Sequence, residues 1–153
     1  MNINTAKGDS IELLLRQIGA TEVKVVRGLL YFIKFRLNDT LEISYTYNIN
    51  AKNQYFLQRI KPYPLSHGVF DDEYEIVSFI KKDLHKFNNA MNSSNFDSFL
   101  NVAKKFNSIT ENIEKLFLNY DVDKRHLQGL DKELSDIVDE IEEIKKDARE
   151  IWK

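Results

Sequence analysis

Three histidines, His67, His85 and His126, are the obvious candidates for chemistry, and none stands at a useful spacing. A helical zinc site needs two ligands about one turn apart, as in HExxH, and no such pair occurs. Any metal centre would have to be assembled across the fold. Asp121-x-Asp123 begins like a calcium loop, but Arg125 and His126 stand where a ligand and the turn glycine belong. Lys132 replaces the closing glutamate, so the loop fails as an oxygen cage. The five glycines, at 8, 19, 28, 68 and 129, form neither a GxGxxG nor a phosphate loop, and no GxSxG nucleophile turn is present. Cysteine is absent, which excludes a thiol nucleophile, a thiolate metal site and a disulfide together. Asp71, Asp72, Glu73 and Glu75 are the densest carboxylates, but they fall where a helix should start. Acids there complement the macrodipole, so they read as caps. His67-Gly68 reads as the turn between a sheet and that helix. No catalytic residue, metal or cofactor is assigned, and the chain reads as non-enzymatic.

The remaining chemistry is that of surfaces. The formal net charge of the 153 residues is -2, too small to draw in nucleic acid or an anionic membrane as a whole. The charges are unevenly placed. Residues 1–68 hold nine Lys and Arg against five Asp and Glu, and residues 121–153 hold seven against eleven. One candidate surface is basic: Lys24, Phe32, Lys34 and Arg36, with Ser44 and Thr46, share the second face of an expected sheet. Basic residues with an aromatic suit a nucleic acid, although no RNP-like string accompanies them. The other is acidic: Glu133, Asp136, Asp139, Glu140, Glu143 and Asp147 line the last expected helix.

The elements that must position these surfaces follow from hydrophobic period. AVILMFWYC residues are 42% of the chain and charged residues 30%, a globular balance in one domain's length. Residues 9–18 read as a short helix, capped by Asp9 or Ser10 and ended by Gly19. The period then becomes two. Leu29–Leu37 and Leu41–Ile49 alternate as half-buried antiparallel strands joined at Asn38-Asp39. A third strand spans Gln54–Lys61, its Tyr55–Tyr63 stretch apolar on both parities and expected to be buried on both faces. A first, Glu22–Val26, completes a four-stranded meander, which Pro62 and Pro64 should end.

From Phe70 the period is helical, with an Asp72-x-x-Glu75 capping box. Val77, Ile80, Leu84, Phe87 and Met91 mark one helix, and Phe96 to Tyr120 a second with a wide apolar stripe. In the last, Leu127, Leu130, Leu134, Ile137, Ile141, Ile144, Ala148 and Ile151 repeat at 3-4 spacing among Asp, Glu and Lys. An antiparallel homodimer would oppose Glu133, Glu140 and Asp147, so packing on helices of the same chain is favoured, as a hairpin or three-helix bundle. Trp152 is expected to plug that bundle.

The expected architecture is therefore α+β: one domain, residues 1–153, with an α/β-meander half over 1–68 and a helical half over 69–153. No signal peptide or apolar run of ~18 residues is seen, so the expected compartment is the cytoplasm. Heavy use of Asn (14), Ile (15) and Lys (16) over Arg (6) fits an AT-rich bacterial or phage genome. Two function classes follow. The first is a cytosolic interaction protein, regulator or inhibitor that meets a protein partner, basic in character, through the acidic helix. The alternative is a nucleic-acid-binding module using the basic sheet face.

Overall fold

The computed structural model describes residues 3–24 and 28–149. Its element order is α1 (Ile3–Gln17), β1 (Leu29–Arg36), β2 (Glu42–Ile49), β3 (Tyr55–Lys61), β4 (Leu65–Phe70), α2 (Glu73–Ala90), α3 (Phe96–Asn119) and α4 (Lys124–Asp147). This is the expected α+β architecture, with a four-stranded antiparallel sheet in the order β1-β2-β3-β4. The chain forms two compact units, Met1–Val102 and Ala103–Lys153, and their boundary falls inside α3. None of the described helices is long and apolar enough to cross a membrane.

The first strand of the meander is not where alternation placed it. Residues 22–24 are irregular, and the rest of Glu22–Val26 lies outside the described residues. The fourth strand is instead β4, beyond the two prolines. Pro62 and Pro64 sit in the β3–β4 connection, where a missing N–H costs the ladder nothing. The tight pair Asn38-Asp39 is a slightly longer loop. Leu37 N–H donates to Leu41 O, and Asn38 Oδ1 accepts from the amides of Thr40 and Leu41. Asn50 closes the next turn similarly, accepting from Lys52 and Gln54, with Asn53 at φ 58°. The β3–β4 register shifts between Leu57 and Gln58. There Gly68 takes φ 89°, a backbone state that side chains disfavour.

Cross-strand pairing puts Ile33, Phe35, Ile43, Tyr45, Leu57 and Arg59 on one face. Tyr31 and Tyr47 stack there with centroids 4.7 Å apart. α2 covers this face. Asp72 caps it, accepting from Glu75 N–H, and Glu75 returns a carboxylate oxygen to the Asp71 amide. The buried core joins Leu41, Ile43, Tyr45 and Leu57 of the meander to Ile76, Ile80 and Phe87 of α2. Ile76 takes the slot expected of Val77, which is exposed. The apolar stripe of α2 is thus spent on the sheet. Nor is β3 buried on both faces, because Gln58, Ile60 and Lys61 are exposed.

α1 starts earlier than its expected caps. Asp9 and Ser10 lie inside it, while Gly19 follows its end at φ 102° as the sequence suggests. In the second unit, Ile109, Ile113 and Leu116 of α3 and Leu130, Leu134 and Ile137 of α4 line one cavity, so the two helices run side by side and antiparallel. Trp152 and Ile151 lie outside the described residues.

Candidate functional site

The acidic candidates keep their helical setting. Glu133, Asp136, Asp139, Glu140, Glu143 and Asp147 all lie on α4 and all are exposed. At 100° per residue they occupy an arc of about 120°, beside the arc of about 100° that holds Leu127 to Ile144. Lys145 and Lys146 pair with Glu142 and Glu143 within the helix. α4 has no buried residue. Leu127, Leu130, Leu134 and Ile137 are half-buried, whereas Val138, Ile141 and Ile144 are 59%, 44% and 58% exposed. The seam that packs within the chain at one end is open at the other.

The basic face is less free than its sequence suggests. Lys34 Nζ lies 3.1 Å and Lys61 Nζ 3.2 Å from Glu42, which is also the register partner of Arg36. The two ammonium groups hold the Glu42 carboxyl below its ordinary range. A carboxylate therefore stands amid the cations meant for phosphate. Phe32 and Arg36 are exposed, Lys24 is exposed in irregular chain, and Ser44 is fully buried with an unpartnered Oγ. Lys24 lies outside the strands of the sheet, so it does not share the sheet face of Lys34 and Arg36 as expected.

A third site was not anticipated. Arg59, on the core side of β3, is 3% exposed. Its Nη1 lies 2.9 Å from Oδ2 and 3.2 Å from Oδ1 of Asp83 on α2. Tyr45 Oη donates to the same Oδ2 at 2.7 Å. The guanidinium carbon stands 4.6 Å from the Tyr63 ring centroid and 4.9 Å from that of Phe87. Arg59 Nε is buried without a hydrogen-bond partner. His67, on the bulged strand β4, packs against Phe79 with ring centroids 4.6 Å apart and planes tilted by 49°, and its Nε2 is also buried and unpartnered. Burial, and then the nearby Arg59 charge, lower the His67 pKa and favour the neutral imidazole. Burial, with the Asp83 carboxylate behind it, raises the Tyr45 pKa and keeps its phenol protonated.

Arg59, Asp83, Tyr63, His67 and Phe87 border a cavity of about 260 Å³ whose wall is completed by Leu65, Lys86, Ala90 and Phe99. That is room for roughly nine waters at ~30 Å³ each. Two signals for it were present in the chain. Arg59 shares strand parity with Tyr55 and Leu57, which places a charge on the core face. Asp83 follows Ile76 and Ile80 at helical spacing, which places an acid in the buried stripe. Among the described residues no cluster of His, Asp or Glu could hold a metal ion. Comparison with protein-family models, with curated proteins and with solved structures returned no match.

Proposed function

We propose that this chain is a non-enzymatic protein-interaction module, acting as a regulator or inhibitor, that docks a basic partner through α4. One observation supports this reading above the others: Val138, Ile141 and Ile144 are exposed on the same helix as six exposed carboxylates. Fully burying an isoleucine is worth ~1.5–3 kcal/mol, so a partner gains from covering that open seam. The acidic arc beside it steers a basic surface into place and rejects acidic ones. A second copy is a poor occupant, because antiparallel pairing would set Glu133, Glu140 and Asp147 against their like.

The test is affinity capture with cross-linking and mass spectrometry, using the full chain and two double variants. Cross-links from a basic protein should map to α4. They should be lost in both Glu140→Lys/Glu143→Lys and Ile141→Ser/Ile144→Ser. Capture that survives both changes refutes the reading. So does a dimer in light scattering that Ile141→Ser/Ile144→Ser dissociates. A salt-steep gel shift abolished by Lys34→Glu/Arg36→Glu would instead favour nucleic acid on the sheet face.

A further inference from the structure

The Arg59 cavity is apolar in most of its wall and cationic in its balance. Tyr63, Leu65, Phe87, Ala90 and Phe99 supply a slot for an apolar body. Arg59 and Lys86 supply two positive charges against the single carboxylate of Asp83. Asp83 is served by Nη1 alone. A guanidinium recognises carboxylates through two parallel N–H groups, and this one leaves its fork half used. The rings of Tyr63 and Phe87 fix the guanidinium in place before any ligand arrives.

We propose that this cavity is a binding site for a small monocarboxylate with a compact aromatic or branched apolar body. The carboxylate meets Arg59 and Lys86, and the body lies among Tyr63, Leu65, Phe87 and Phe99. His67 also lines the cavity. The site lies on β3, β4, the connection between them, α2 and the start of α3, in the first compact unit. It is independent of the α4 surface.

The experiment is an NMR titration of the isotopically labelled full chain. The probes are benzoate and isovalerate, with benzamide and acetate as controls. Either of the first two should shift signals of Leu65, Phe87, Ala90 and Phe99 saturably. Benzamide, which keeps the ring and loses the charge, should bind at least about tenfold more weakly. Acetate, which keeps the charge and loses the body, should do the same. Arg59→Lys risks the fold, so two milder variants carry the test. Ala90→Leu fills the slot and should abolish binding. Lys86→Gln removes the rim charge and should weaken binding several-fold. The proposal is overturned if neither benzoate nor isovalerate shifts these signals, if benzamide matches benzoate, or if Ala90→Leu binds as well as the parent chain.

Discussion

Arg59 Nη1 on β3 lies 2.9 Å from Asp83 Oδ2 on α2, in a contact where the arginine side chain is only 3% exposed and the aspartate 14%. This pair ties the sheet to its covering helix within the same core that Ile43, Tyr45, Ile80 and Phe87 build by apolar contact. A buried pair is weak proof of net stabilisation, since desolvation opposes the attraction. Its strength is asymmetric. Breaking one side strands the other.

Asp83→Ala should therefore destabilise the fold by ~3–5 kcal/mol, because it leaves the Arg59 guanidinium buried and uncompensated. Replacing both partners by apolar residues, as in Arg59→Met with Asp83→Leu, should cost less than Asp83→Ala alone. Urea denaturation of the three chains checks this. A loss under about 1 kcal/mol in Asp83→Ala would mean that the arginine escapes to water.

Tyr45→Phe isolates the second contact to that carboxylate. The ring is fully buried, so phenylalanine keeps its packing and removes only the O–H that Asp83 accepts at 2.7 Å. A hydrogen bond to a charged group is worth ~1.5–3 kcal/mol, and that is the expected loss in unfolding free energy, read from the denaturation curve. A neutral effect would show that Asp83 is held by Arg59 alone.

His67 gives the fold a pH dependence of defined sign. Its folded pKa is depressed below the ordinary value of 6.5, first by burial and then by Arg59. The unfolded chain then binds the proton more readily than the folded one. The contribution is present above 6.5 and is lost as pH falls from there through the folded pKa. His67→Gln should flatten stability against pH in that window and leave it unchanged at pH values above neutrality. An unchanged slope in His67→Gln would refute the assignment to His67.

Gly68 holds the bulge beside His67 at φ 89°, with open space around the position of a Cβ. Gly68→Ala thus meets no clash and pays only for backbone conformation, ~1–2 kcal/mol. Thermal unfolding checks the value. A stabilised variant would mean that the strand relaxes to an ordinary φ.

How far the chain could be read depended on whether a signal was periodic. Leu41 to Ile49 alternates cleanly and contains β2, Glu42–Ile49; Asp72 and Glu75 announce the start of α2 at their correct places. β4 was hidden because Leu65–Phe70 carries a glycine and a bulge, which erase the two-residue period, and because prolines precede it. The proline rule was right about ladders and wrong about where this sheet ends. The Arg59 site was only half legible. Parity puts Arg59 inward and helical spacing puts Asp83 inward, but 24 residues separate them. Only the β3–β4 return brings α2 across to join them. The acidic arc was fully legible, because a helix needs nothing but its own spacing to collect six carboxylates on one side.

The graded seam of α4 supports a final prediction that bears on its partner. Leu134 is half-buried against α3, next to Ile109 and Ile113, whereas Ile144 is 58% exposed. Leu134→Ala should cost roughly 1–3 kcal/mol, below the ~2–5 kcal/mol of a fully buried leucine. Ile144→Ala should stay within about 0.5 kcal/mol, as surface changes do. Paired denaturation curves measure both. Equal losses would show that the seam is packed along its whole length in solution, and the open end would then have nothing to offer a partner. Unequal losses leave Ile141 and Ile144 as apolar surface maintained without benefit to the fold, which is the expected signature of a residue kept for binding.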